Sequence, residues 1–297
     1  MPQRPATWQL FAVCVLIWGT TWYAITFQVD RVPAEAAVAL RFGLAGAAVL
    51  AFCAARRAPL RFPPSTHARL ALQGALLYGV SYVCVYHAEK HIASGLVAVG
   101  YSASPLVSGL GARWLFGTRV SARFVAGGVL GLVGVALIFW PEFESSAQRS
   151  GAALGALFTL ASVLLSSGGS LAASRNRGHG LPFWPALGYG MLYGAAAAAL
   201  CSLVLGERIA WPSAPLWWGS LLYLALAGSV LAFACFLALQ QRLGPGPAGT
   251  VGVMTPLLAL AVSITLEGLR PHALTFAGLA LAVAGNVLML RPPRSRG

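Results

Sequence analysis

At 297 residues the chain is 58% hydrophobic and 9% charged, whereas a soluble domain carries roughly 25% charged residues. That composition excludes a water-soluble globular enzyme and makes lipid the natural solvent. The net charge of +13 is spread thinly over short connections, unlike the clustered basic face of a nucleic-acid binder, so no nucleic acid is expected as a partner.

An apolar helix needs about 20 residues to cross about 30 Å of hydrocarbon. Segments 9–27, 34–54, 70–88, 95–115 and 122–140 meet that length, as do 151–174, 183–205, 216–239, 248–266 and 273–290. The expected fold is therefore an all-α polytopic membrane protein with ten transmembrane helices. The first segment is too long for a signal h-region and is followed by no small-residue cleavage site, so it reads as a retained first span. It holds Trp18, Thr21 and Trp22. Trp18 and Trp22 share a helix face. Trp18 falls mid-span, where an interfacial aromatic belt does not account for it. Cavity lining, lipid exposure and core filling all remain open for it.

The second segment carries Arg41, a charge well inside a helix and about two turns past Glu35. Such a residue costs roughly 2.5–3.5 kcal/mol at mid-membrane on insertion scales and is a functional candidate by default. Its guanidinium suits a bidentate grip on a carboxylate. The competing reading has it snorkelling to water or pairing with Glu35 or Asp30. On the third segment Tyr78, Tyr82 and Tyr86 repeat every four residues, with Ser81 beside Tyr82. Buried phenols need hydroxyl partners, so the stripe reads either as a polar lumen or as hydrogen-bonded helix packing. Tyr101 precedes Pro105 in the fourth segment, and Thr255 precedes Pro256 in the ninth. Each proline frees a backbone carbonyl, so each is expected to be a static kink or a moving hinge. Ser162, Ser166 and Ser170 form a small-residue stripe that favours close packing, and Tyr189 and Tyr193 are secondary cavity candidates. The five cysteines all fall within spans and are read as small apolar residues.

All seven acidic residues lie in or beside the same set of loops, and most arginines lie on the other side. The positive-inside rule then places the N- and C-termini in the cytoplasm. Pro105, Gly117, Gly127 and Gly134 match Pro256, Gly268, Gly278 and Gly285 at one constant offset. The chain therefore reads as two repeats, 1–149 and 150–297. Five helices per repeat is an odd number, so the second repeat enters the membrane inverted. Inverted repeats mark secondary transporters, with binding near the midplane.

Trp18-Gly19-Thr20-Thr21-Trp22, Arg41-Phe42 and the stretch from Tyr223 to Leu290 together resemble the drug/metabolite transporter superfamily, specifically its EamA-like family. The likeness extends over nearly the whole chain. It implies two inverted five-helix repeats in a bacterial inner membrane, moving small metabolites by alternating access, with export of amino acids or related compounds common in the family. Family repeats often carry a Gly-Glu pair at the late hairpin turn. Here the first half has Gly117-Thr118 and the second Glu267-Gly268.

The candidate substrate-binding set is thus Trp18, Thr21, Trp22, Arg41, Tyr78, Ser81, Tyr82, Tyr101, Ser166 and Thr255, with Pro105 and Pro256 as hinges. No cofactor, metal or catalytic residue is expected, and the expected partners are a small-molecule substrate and lipid, with the chain a monomer or homodimer. An intramembrane enzyme is the alternative, with Ser81 and His87 a thin imitation of a nucleophile and base. A channel-like subunit is the other.

Overall fold

A computed structural model describes residues 6–29, 31–144, 149–243 and 251–290. Asp30, both chain ends with Arg4, Arg291, Arg294 and Arg296, and the segment just before the expected repeat boundary lie outside the described residues. Among the described residues every regular element is helical. In chain order these are α1 (Thr7–Thr26), α2 (Ala34–Ala55), α3 (Pro64–Gly74), α4 (Ser81–Glu89), α5 (Ser94–Gly100), α6 (Ser104–Phe116), α7 (Ala122–Glu144), α8 (Arg149–Gly178), α9 (Phe183–Val204), α10 (Pro215–Leu222), α11 (Ala232–Leu243), α12 (Val251–Leu266) and α13 (Ala273–Leu290). Nine runs among the described residues are long and apolar enough to cross a membrane, and α12 is a tenth, shorter apolar helix. Its expected start at residue 248 lies outside the described residues.

Three spans depart from a plain α-helix. A π-helical stretch, Ala75–Val80, joins α3 to α4, and another, Tyr223–Leu231, joins α10 to α11. Both fall in the third span of a sequence half. Between α5 and α6 the span tightens into a 3₁₀ turn at Tyr101–Ala103. Pro105 therefore sits in the first turn of α6, where its missing N–H leaves no ladder bond unmade. Pro256 is inside α12. The third span starts at Pro64, earlier than hydropathy alone marks, because a proline at the first helical position is pre-set for a helix start. Gly117 and Gly268, at equivalent places in the two halves, end α6 and α12 with φ of 67° and 73°, a conformation costly for any residue with a Cβ.

Contacts divide the chain into two compact units, neither of which is a sequence half. The first comprises residues 1–23, 92–156 and 231–297; the second comprises 24–91 and 157–230. Each draws spans from both halves.

The first unit is built around α7 and α13, which pack through glycine. A Cβ on Gly127 would overlap the carbonyl of Gly285, and one on Gly134 would overlap that of Gly278; the reverse holds for Gly285 and Gly278. The equivalent pairs in sequence are Gly127 with Gly278 and Gly134 with Gly285. Each glycine therefore meets the counterpart of the other, the reciprocity of a self-complementary twofold contact. A second junction ties α5 to α12. The Ser94 N–H donates to Glu267 Oε2 at 3.0 Å, Ser263 Oγ donates to Glu267 Oε1 at 2.9 Å, and the Ser94 hydroxyl also donates to that carboxylate. The Gly95 N–H donates to Ser263 Oγ at 2.8 Å. The acid of the Glu267-Gly268 turn thus caps the start of α5, satisfying N–H groups that a helix leaves open.

The second unit centres on α2, α9 and the third span. Gly46 lies against the carbonyl of Gly188, Gly74 against that of Gly190 and Gly79 against that of Gly194. Small residues allow this backbone approach, the usual source of helix association in lipid. Ser162 Oγ donates to the Ser81 carbonyl at 2.8 Å, so the serine stripe of α8 serves packing. The Tyr189 hydroxyl donates to the Leu60 carbonyl at 2.8 Å, and the Tyr193 hydroxyl lies 2.9 Å from His67 Nδ1. These two tyrosines fasten the 56–63 connection and the start of α3.

Candidate functional site

The sequence-derived candidates separate into two groups, one in each unit. Trp18, Thr21, Trp22, Tyr101, Thr255, Pro105 and Pro256 belong to the first unit; Arg41, Tyr78, Ser81, Tyr82 and Ser166 belong to the second.

In the first group, Trp18 packs edge-on to Phe233 at 5.2 Å and tilted against Phe236 at 5.2 Å. It borders a core of Leu10, Cys14, Cys235, Leu239 and Val251. Of the three readings left open for Trp18, this geometry favours core filling. The same cluster holds two of the five free cysteines as apolar filler. Trp22 and Tyr101 do meet, ring centroids 5.1 Å apart, which puts two candidates from distant segments side by side at the 3₁₀ turn. Thr21 Oγ1 donates to the Trp18 carbonyl and Thr255 Oγ1 to the Val251 carbonyl, each at 2.8 Å. Both hydroxyls are spent on their own helices.

The second group converges more tightly. Arg41 is buried, at 3% exposure, although it is a permanent cation. Its guanidinium carbon lies 4.7 Å from the Tyr82 ring centroid and 5.0 Å from that of Phe42, within cation–π range. Phe42 in turn lies 4.7 Å from Tyr82 and 5.4 Å from Tyr78. The Tyr86 hydroxyl lies beside the guanidinium and donates to Gln28 Oε1 at 2.7 Å. Nε and Nη1 of Arg41 are sealed from solvent without a hydrogen-bond acceptor among the described residues. The pairing considered with Glu35 is not made among the described residues; Glu35 Oε1 lies 2.9 Å from His87 Nε2 instead.

This arrangement follows from the sequence. Arg41 and Phe42 point from α2 toward the third span, where Tyr78, Tyr82 and Tyr86 recur on one face at helical spacing. The π-helical stretch carries Tyr78 itself, and such wide turns often mark functional sites. Ser81 is buried, but its hydroxyl donates to the Leu77 carbonyl at 2.9 Å, and Ser166 donates to the Val163 carbonyl at 3.2 Å. Both are structural hydroxyls. Ser81 and His87 are not a nucleophile–base pair, since each is committed elsewhere.

Phe42 as a wall of the cation's box and Gln28 as the partner of Tyr86 escape a sequence reading. Phe42 is visible only as part of the Arg41-Phe42 motif, and Gln28 sits in a short loop with no periodicity to mark it. The cation thus lies against two rings, with two of its nitrogens unpartnered among the described residues.

The family profile described as the EamA-like transporter family matches the chain twice, over residues 7–140 and 153–291. A protein named as an uncharacterized inner membrane transporter, YedA of Escherichia coli strain K12, is 30% identical over 94% of this chain and 89% of its own length. Protein PagO of Salmonella typhimurium is 21% identical over 87% of this chain and 84% of its own. A solved crystal structure at 22% identity superposes with a TM-score of 0.69 over 96% of each chain and shares the fold. With the profile covering nearly all of its length, and nine membrane-length apolar helices plus a shorter one among the described residues, the chain belongs to the EamA-like transporter family and is a multi-pass membrane transporter of the drug/metabolite type.

Proposed function

We propose that this transporter is an alternating-access exporter of amino acids or related carboxylate-bearing metabolites in a bacterial inner membrane. Its N- and C-termini are cytoplasmic, and Arg41 receives the substrate carboxylate. One observation carries this reading: a buried guanidinium, stacked between Phe42 and Tyr82, with two nitrogens that find no acceptor. Buried polar groups are otherwise nearly always hydrogen-bonded, and an Arg fork matches a carboxylate in geometry and charge. Tyr78 and Tyr82 supply aromatic surface beside the anion, which suits an amphipathic zwitterion. The two inverted repeats, 1–149 and 150–297, supply the paired inward and outward states. The reciprocal glycine contact of α7 and α13 supports that symmetry, as do the two π-helical stretches in corresponding spans.

The test is counterflow of a labelled amino-acid panel in proteoliposomes. Saturable flux, competed by unlabelled substrate and lost in Arg41→Gln with normal yield and folding, is the expected result. Non-saturating flux would make the protein channel-like. Unchanged flux in Arg41→Gln would remove Arg41 from the site.

A further inference from the structure

Three helix ends of the second unit meet at a place that the substrate reading does not use. Glu35 stands in the first turn of α2, His87 in the last turn of α4, and Glu207 just beyond α9. The sequence builds the third position locally. Gly206 adopts φ of 66°, and the N–H groups of Gly206 and Glu207 donate to the carbonyls of Leu203 and Ser202 at 3.1 and 3.2 Å. That is a Schellman closure of α9. It turns the chain back over the helix end and aims Glu207 at α2.

His87 Nε2 lies 2.9 Å from Glu35 Oε1, and the His87 ring stacks on Phe158 at 5.1 Å. Helices α2 and α9 pack together here, and the Glu207 and Glu35 carboxyls interact electrostatically across that contact. Glu35 is 3% exposed, and its Oε2 has no donor among the described residues; nor has the solvent-sealed Oε2 of Glu207. Two ionised carboxylates cannot hydrogen-bond to each other, and like charges so close do not both ionise readily. One proton supplies the missing donor for both.

We infer that Glu35 and Glu207 form a proton-binding site, a carboxyl–carboxylate pair sharing one proton, with His87 as the donor that orients Glu35. On release the O–H bond of one carboxyl breaks, its electron pair stays on oxygen, and the proton passes to water at that end of the unit. The pair then carries two negative charges face to face. The surrounding groups are few. Cys84 of α4 and Ser202 of α9 adjoin the carboxyls, His91 stacks on the far side of Phe158, and Arg208 follows Glu207 on the exposed side of the loop. Helices α9 and α10 contain no acidic or basic residue. Burial pushes the Glu207 carboxyl above the usual carboxylate range, and the Glu35 carboxyl opposite adds to this, against the opposing effects of Ser202 and His87. This site is independent of the identity of the transported substrate.

The experiment is an infrared pH titration of the full-length protein in lipid, followed through the carbonyl stretch of protonated carboxyl groups. In acid just above the ordinary carboxylate range the wild type is expected to show this band, and raising the pH is expected to remove it. Glu207→Gln, a loop substitution that keeps the hydrogen bond, should abolish it, while Glu89→Gln should leave it. His87→Asn should move its disappearance to higher pH, because the Glu207 carboxyl loses the opposing effect of His87. Absence of the band from the wild type, or its survival in Glu207→Gln, would overturn the assignment. So would a midpoint that moves with sodium concentration at constant ionic strength, since that would put a metal cation where the proton is placed.

Discussion

The two compact units solve the problem of polar groups in lipid in opposite ways. In the first, polar side chains are spent on structure: Glu267 caps α5, Thr21 and Thr255 bond back to their own helices, and α7 and α13 meet backbone to backbone. In the second, buried polar atoms without a hydrogen-bond partner accumulate at Arg41, Gln28, Glu35 and Glu207, whereas the first contributes Ser104 Oγ. Unsatisfied buried groups are costly and persist where function needs them. On the proposed reading the second unit carries the ligand and the first serves as scaffold, although both are built from spans of both sequence halves.

The contrast can be broken most forcefully at the α7–α13 contact. Replacing Gly134 or Gly278 with Leu forces a side chain into the opposite carbonyl, so both variants should fail to accumulate as folded protein. Overpacking costs typically about 1–3 kcal/mol even where the neighbour is a side chain. Gly131→Ala, whose added Cβ meets nothing within 4 Å, should leave the melting temperature within a degree or two of the wild type (roughly, for a change under about 0.5 kcal/mol). In the second unit the order reverses. Arg41→Gln should leave folding near wild type and reduce flux roughly 10- to 100-fold, the equivalent of one charge-assisted hydrogen bond worth about 1.5–3 kcal/mol, read from initial rates in proteoliposomes.

Glu267→Ala should be next in size. It removes the acceptor of the Ser94 N–H and of Ser263 Oγ, for a loss of about 1 kcal/mol typical of a cap, and it should lower thermal stability without changing substrate selectivity. The smallest effect concerns pH. Glu207 sits above its ordinary range in the folded protein. Between the ordinary carboxylate range and that raised value the folded chain holds a proton that the unfolded chain has lost. Stability is therefore fully present at the acidic side of that window and falls as pH rises through it. Glu207→Gln should flatten the slope in a melting-temperature series.

Spans and family are legible in the sequence because they rest on long apolar runs and on a constant spacing of Pro and Gly. The glycine register at one offset marks the repeat but not the contact of Gly127 with Gly285 and of Gly134 with Gly278, which needs antiparallel geometry in three dimensions. Arg41 is legible for a physical reason, since a charge inside a helix is rare. Its box is half legible: the tyrosine stripe repeats on one face, but Phe42 has no spacing to distinguish it from filler. Depth alone leaves Trp18 open between cavity, lipid and core, and its contacts with Phe233 and Phe236 favour the last. Glu35 and Glu207 serve the sequence reading solely as topology markers. Nothing in linear order reveals that a Schellman turn carries Glu207 to the start of α2.

The most direct measurement compares a transported amino acid with its amide, which differ only in the carboxylate, in wild-type and Arg41→Gln proteoliposomes. Strong preference for the acid in the wild type, collapsing to near equality in the variant, is the predicted result. A preference retained undiminished in Arg41→Gln would contradict the assignment of the buried cation in the second unit as the carboxylate receptor.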